Sequence, residues 1–364
     1  LKKLFIISGE ASGDLHGSNL IKNLLEQNPD LIIQGWGGDL MEANGMSVLK
    51  HIKELAIMGF KEVVLKLKTV LNNLELCKKQ ITDFQPDAII FIDFPGFNLR
   101  IAEWAKKSGY KTIYYIAPQV WAWKENRVNL IKKYVDELIV ILPFEVEYFK
   151  KHGINAFYTG HPLLDAVQQF EEGNPNNFNK KEGICILPGS RKQEISRMLP
   201  IMLEGANQFG AESISIAGSG HIDKSFYNPL INQQNARLFI SQTYNLLPSS
   251  HSGIIKSGTS TLEAALFLLP EVVCYKGSNL SYQVAKRVIK IPYISLVNLI
   301  LDKPLVKELI QNEVTPYNIF KELELLEDVH HRAYIESEYL KLRDKLGNNG
   351  VSARIAEFIL DKIN

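Results

Sequence analysis

Two carboxylates stand where this chain could do acid–base chemistry. Glu10 lies in ISGEASGDLHGSNL, just after the apolar run 4–7, and Asp93 closes the apolar run 88–92 in IDFPGFN. A carboxylate at the end of a buried strand loses part of its water, which raises its pKa and suits it to act as a general base. Each also has a structural alternative, capping the helix that follows or accepting from backbone N–H groups.

Two other stretches suit a phosphate. KSGTSTLE (256–263) follows an apolar run and opens a helical pattern, so Gly258, Thr259, Ser260 and Thr261 allow close backbone approach at a helix N-terminus. Glu263, read as lying in the first helical turn, could accept from ribose hydroxyls. The alternative is a well-capped helix with Thr259 or Ser260 at the N-cap. LPGSR (187–191) likewise ends an apolar run at Gly189 and Ser190 and adds Arg191, whose guanidinium fork fits a phosphate. Neither stretch is a Walker A loop, and the sequence holds no G-x-G-x-x-G and no D-x-D.

His161 in TGHPLLD either lines a cleft between domains or packs structurally. IAPQVWAWK carries Trp121 and Trp123 after an apolar run, more simply packing residues than ligand contacts. The stretch 59–79 sets Val63, Val64, Leu67, Val70, Leu71 and Leu74 on one helical face, with Lys61, Lys66, Lys68, Lys78 and Lys79 around it. Such a stripe either packs on a sheet or lies on anionic lipid.

These residues need elements to hold them. Apolar runs at 4–7, 31–35, 88–92, 112–116 and 138–142 read as buried strands, with helical patterns at 19–27, 62–79, 99–108 and 127–134 between them. After the polar, Asn-rich stretch 171–183 the alternation restarts, with strands at 184–187, 213–217, 238–241, 253–256 and 272–275 and a helix at 194–209. The expected fold class is α/β, two Rossmann-like domains facing a cleft. The expected parts are an N-terminal domain (1–170), a linker (171–183), a C-terminal domain (184–335) and helices (336–364) packing back on the N-terminal domain. Lys and Arg number 41 against 40 Asp and Glu, which speaks against nucleic-acid binding. Three well-separated cysteines and histidines without an HExxH or CxxC-type cluster, His330 and His331 reading as a solvated helical pair, make a disulfide framework or metal site unexpected. No apolar run approaches the length of a membrane span, and no secretory signal is read at the start. The chain is expected to be cytoplasmic.

Taken together, SGEASGD (8–14), GWGGDLMEANGM (35–46), MGF (58–60), IDFPGFN (92–98), APQVWAWK (117–124), GHPLLD (160–165), LPGSR (187–191), SGTSTLEAAL (257–266) and PYISLVNLI (292–300) closely resemble one family, in order along nearly the whole chain. That family is lipid-A-disaccharide synthase, an inverting glycosyltransferase of the GT-B type. Two positions depart from its pattern, Val297 for proline and Glu271 for an apolar residue.

The resemblance implies that UDP-2,3-diacylglucosamine donates its sugar to 2,3-diacylglucosamine 1-phosphate, giving the β-1′,6-linked lipid A disaccharide and UDP. It implies an acceptor-binding N-terminal domain, a UDP-sugar-binding C-terminal domain, and a peripheral place on the cytoplasmic face of the inner membrane of a Gram-negative bacterium. Asp93 is the first choice for the base and Glu10 the second. Gly189, Ser190, Arg191, Gly258, Thr259, Ser260, Thr261 and Glu263 would bind UDP, and Asn298, Gln311 and His161 complete the expected site. Because both substrates carry acyl chains, part of the stripe Val63, Val64, Leu67, Val70 and Leu71 is expected to be exposed toward phospholipid. No metal and no cofactor is expected, and a homodimer is admitted. The competing readings are a UDP-sugar transferase or epimerase acting on soluble substrates, and a non-catalytic UDP-sugar-binding protein.

Overall fold

Alternating strands and helices build two parallel sheets, each in its own compact unit. The computed structural model describes all residues except 57–62, 123–125, 175–180, 232–234, 279–281, 283–290 and 364, and excepting the side chains of 56 and 63–67. One unit comprises Leu1–Asp165 with Asn348–Asn364, the other Ala166–Gly347.

Among the described residues the first unit contains β1 (Lys3–Ser8), β2 (Ile32–Gly37), β3 (Ser47–His51), β4 (Ala88–Ile92), β5 (Lys111–Tyr115), β6 (Glu137–Ile139) and β7 (Ala156–Phe157). They pair in parallel in the order β3-β2-β1-β4-β5-β6-β7. All five residues of β4, AIIFI, are buried, as expected of a parallel strand covered by helices on both faces. One face packs Phe5, Ile7, Trp36, Phe91 and Tyr114 into a single cluster.

The second unit holds β8 (Ile184–Leu187), β9 (Ile214–Gly218), β10 (Ala236–Ile240), β11 (Ser252–Lys256), β12 (Glu271–Tyr275) and β13 (Lys307–Ile310), all parallel, in the order β10-β9-β8-β11-β12-β13. Both orders reverse direction after the third strand of the row, between β1 and β4 and between β8 and β11. In an open α/β sheet that reversal opens a crevice at the strands' C-terminal ends, where ligands bind.

Three features differ from the expectation. The helix after β1 begins at Ala11 and runs to Gln27, eight residues before the expected start at 19. Its small residues serve close packing: a methyl group on Gly17 would stand 2.8 Å from Met41 Sδ. The division between units falls at Asp165 and Gly347, whereas the reading placed a linker at 171–183 and the C-terminal helices at 336; the helix Leu163–Gly173 continues past the first of these divisions. Of the last helices, Val329–Leu346 belongs to the second unit and only Val351–Ile363 packs back on the helix Ala11–Gln27 of the first.

That return has a chemical anchor. The carboxylate of Asp165, nearly buried, accepts from the backbone N–H groups of Gly350 (2.7 Å), Val351 (3.0 Å) and Ser352 (2.7 Å). It satisfies the first donors of the final helix from a distant part of the chain. Phe358 then stacks on Phe157 at 4.1 Å between centroids.

Candidate active site

In the first unit the strand-order reversal gathers the two expected carboxylates. Asp93 follows β4, and Glu10 follows β1 as the N-cap residue of the helix Ala11–Gln27, with extended backbone. Asp93 is half-buried and Glu10 exposed. Loss of water, with a smaller contribution from the Glu10 charge, pushes the Asp93 carboxyl up to about 6, against the opposing Phe94 N–H.

The backbone that presents Asp93 is unusual. Asp93 (φ 45°) and Phe94 (φ 47°) both lie in the left-handed region, an arrangement that side-chain-bearing residues adopt only where the surroundings enforce it. Here two side chains do so. The Tyr114 hydroxyl donates to the Asp93 carbonyl at 2.6 Å, and Asn98 Nδ2 donates to the same oxygen at 2.8 Å. The Phe94 ring lies over the first turn, where a methyl group on Gly9 would come within 2.5 Å of it. A side chain there would displace the ring, so Gly9 is the residue that lets β1 and β4 end together.

Asp14, at the end of SGEASGD, and the expected His161 and Trp121 do structural work. Asp14 accepts from the N–H groups of Gly38 (2.8 Å), Leu40 (3.2 Å) and Met41 (3.1 Å), capping the helix Asp39–Ala43. His161 is buried and held neutral: burial, then the nearby His16, lowers it to about 3. Its Nδ1 accepts from Leu163 N–H at 3.2 Å at the start of the next helix. Trp121 donates to the buried carboxylate of Glu145 at 3.0 Å, while Trp123 lies outside the described residues.

The helix carrying the apolar stripe spans Val63–Phe84. Leu74, Cys77 and Ile81 are buried and Val70 packs partly on the core, whereas Leu71 is 53% exposed. The side chains of Val63, Val64 and Leu67 lie outside the described residues, as do Lys61 and Lys66. From Val70 onward the stripe is mainly core, with Leu71 turned away from it.

In the second unit the reversal brings LPGSR, after β8, beside SGTSTLE, after β11. Gly189 takes φ 110°, and Arg191 is the N-cap residue of the helix Lys192–Gln208. The helix after β11 runs Thr259–Leu266 with Gly258 at its N-cap and no side-chain cap, so neither Thr259 nor Ser260 has that role. Glu263 sits in the second turn rather than the first. It accepts from the Tyr244 hydroxyl at 3.1 Å, and burial raises its carboxyl against that hydrogen bond. Thr261 is buried, its hydroxyl donating to the Gly258 carbonyl at 2.9 Å.

Asn298 and Gln311, both in this unit, contrast sharply. The Asn298 amide donates to Val306 O and Glu308 Oε1 and accepts from Leu305 and Val306 N–H, so both donors and its acceptor oxygen are used. It braces the loop between the helix Leu296–Leu301 and β13. Gln311 is also buried, with φ 56°, but its Nε2 has no hydrogen-bond partner among the described residues.

Comparison with known proteins gives the chain its family. The family model for lipid-A-disaccharide synthetase matches residues 4–362. The lipid-A-disaccharide synthase of Syntrophus aciditrophicus (strain SB) is 36% identical over 376 residues, covering 100% of this chain and 98% of the relative. That of Geobacter metallireducens is 34% identical over 382 residues, covering 100% and 97%. The chain belongs to the lipid-A-disaccharide synthetase family. It is therefore an enzyme, a glycosyltransferase of lipid A disaccharide synthesis, and the two competing readings are not favoured.

Solved structures confirm the architecture of this family member. A UDP-GlcNAc 2-epimerase from Neisseria meningitidis bound to UDP-GlcNAc superimposes with a TM-score of 0.63 at 15% identity, covering 99% of this chain and 100% of that one. CalG4, the calicheamicin glycosyltransferase, gives 0.61 at 16%, covering 99% and 98%. At such identities the likeness is one of fold, the two-Rossmann GT-B arrangement. Sequence reading missed two residues that the structure puts beside the expected ones, Tyr114 under Asp93 and Lys256 beside Glu194. Tyr114 sits in an apolar strand and gives no motif, while Lys256 stands at the head of a quoted motif but was read only as the end of a strand.

Proposed function

We propose that the N-terminal unit binds 2,3-diacylglucosamine 1-phosphate, the C-terminal unit binds UDP-2,3-diacylglucosamine, and the acceptor 6-hydroxyl attacks the donor's anomeric carbon. The new C–O bond forms on the face opposite UDP. The bond to the β-phosphate oxygen breaks, UDP leaves with the electron pair, and the linkage is inverted to β-1′,6. Asp93 takes the hydroxyl proton, with Glu10 as the second candidate and as the charge that strengthens it as a base. Arg191 and the N–H groups at Thr259, Ser260 and Thr261 receive the charge developing on UDP. Gly189, Ser190 and Gly258 let the diphosphate reach the backbone, and Glu263 accepts from the ribose hydroxyls. Asn298 acts by bracing its loop, Gln311 offers its amide to the donor, and His161 supports the acceptor half by packing.

Asp93 is the observation that carries this reading: a half-buried carboxyl near pH 6, on a strained turn, at the strand-order reversal. Purified protein given both acylated sugars should release disaccharide 1-phosphate and UDP in equal amounts. An epimerised donor, or UDP released without a disaccharide, would contradict it. Because protein groups carry the leaving charge, excess EDTA is expected to leave the rate unchanged; strict dependence on Mg²⁺ would contradict that part.

The acylated substrates favour a place on the cytoplasmic face of the inner membrane. Among the described residues no helix is long and apolar enough to cross a membrane. A surface location would use Leu71 and the exposed Lys68 and Lys79 on the helix Val63–Phe84. Each methylene moved from water into an apolar setting gains about 0.8 kcal/mol, and each nearby cation about 1 kcal/mol on anionic lipid.

A further inference from the structure

Between the turn after β8 and the turn after β11 lies a lysine that the mechanism above leaves unused. Lys256 ends β11, and its Nζ stands 3.3 Å from Glu194 Oε1, both side chains about one-fifth exposed. A methyl group on Gly189 would stand 3.5 Å from Lys256 Cδ, and one on Gly258 would stand 3.9 Å from its Nζ. The side chain therefore passes the Gly189 turn with its stem and ends with its ammonium beside Gly258. Glu194 Oε1 also lies 3.8 Å from Arg191 Nη1. Glu194 Oε2 is buried, has no hydrogen-bond partner among the described residues, and would lie 2.8 Å from a methyl group on Gly189.

An ammonium has three donors, and one carboxylate oxygen uses one of them. A half-buried cation walled by glycines at the ends of parallel strands matches a polyanion that approaches the backbone closely. One carboxylate shared by two cations supplies the kind of charge a phosphate would bring. We propose that Lys256 contacts the donor diphosphate, and that Glu194 competes with the diphosphate for Lys256 and Arg191 and so limits how tightly UDP is held. This rests on the reading that the second unit holds the UDP-sugar.

The consequence is a pair of effects of opposite sign. Loss of the Lys256 charge weakens diphosphate binding, and loss of the Glu194 charge strengthens it. A pair that merely braces the two turns would behave differently, since breaking it from either side would loosen the same structure.

Isothermal titration of the full chain with UDP, and with uridine by competition, separates these outcomes in Lys256→Met and Glu194→Gln. Losing one charge-assisted hydrogen bond implies about a tenfold weaker UDP affinity in Lys256→Met, with uridine affinity unchanged. Glu194→Gln, which keeps shape and an acceptor, should bind UDP severalfold more tightly and release it more slowly. If Lys256→Met loses its thermal transition, Lys256→Gln carries the same expectations. Unchanged UDP affinity in both variants, or weakening in both, would overturn the proposal. A wild-type chain that binds no UDP would instead overturn the donor-site reading, and the proposal with it.

Discussion

At its strand-order reversal the N-terminal unit sets two carboxylates, Asp93 and Glu10, whereas at the same point the C-terminal unit sets two cations, Arg191 and Lys256, around Glu194. The topology is shared and the charge is opposite. The turns differ in kind as well. Where a side chain must be presented, the chain holds Asp93 and Phe94 in the left-handed region and clamps them with Tyr114 and Asn98. At the turn after β8 the chain instead uses a glycine, Gly189, with φ 110° and no side chain to cover the backbone. The fold supplies the address, and the residues that end the strands set a carboxylate-bearing half apart from a cation-bearing half.

The strongest way to break this comparison is to remove charge from the first half alone. Asp93→Asn should lower turnover about a thousandfold, within the range for loss of a general base, while UDP affinity stays near wild type. Steady-state rates with both substrates, beside UDP titration, check both parts; wild-type-like turnover removes Asp93 from the mechanism. The same variant should also be more stable. The raised carboxyl favours the protonated folded state, so its contribution is fully present below about pH 4 and lost as pH rises through about 6. Allowing for its partial exposure, Asp93→Asn should gain about 2 kcal/mol in denaturant unfolding at pH 8 and nothing near pH 4.

Asp165 tests the frame that holds the carboxylate half together. Asp165→Ala leaves three N–H groups at the start of the last helix without their acceptor, which should lower stability by about 3 kcal/mol. Urea unfolding at neutral pH measures it, and a change below about 0.5 kcal/mol would mean the final helix docks by its apolar face alone.

Smaller effects sharpen the anion-binding half and the surface. Glu263→Gln should weaken UDP by about threefold, because an amide is a poorer acceptor than a carboxylate for ribose hydroxyls. Unchanged affinity would leave Glu263 as the partner of Tyr244 only. Leu71→Ser should reduce binding to anionic liposomes while shifting stability by less than about 0.5 kcal/mol, as expected of an exposed position. Loss of the cooperative thermal transition would put Leu71 in the core.

Much of the fold was legible because parallel strands buried on both faces leave plain apolar runs. AIIFI at 88–92 and LIVIL at 138–142 announce themselves, although the second strand closes earlier, at Ile139. The unread strands carry no such run. β3 (SVLKH) and β13 (KELI) mix charge into half-exposed edges, and β7 is two residues long. The early start of the helix Ala11–Gln27 was hidden because glycine and serine read as loop, and only packing against Met41 shows why they are helical. The places of Asp93, Glu10 and Arg191 at the ends of buried strands were readable from type and position. The work of Asp14, Asp165 and Asn298 was not, because capping and bracing depend on N–H groups brought from elsewhere in the chain.

The central claim is that burial tunes Asp93 to act as the base of the transfer. The pH dependence of kcat with saturating donor and acceptor tests it most directly. The rate should rise about tenfold per pH unit below about 6 and level off above, with that limb absent from the residual activity of Asp93→Asn. A wild-type rate that stays flat from pH 4.5 to 8, or an Asp93→Asn rate that keeps the same limb, would contradict it.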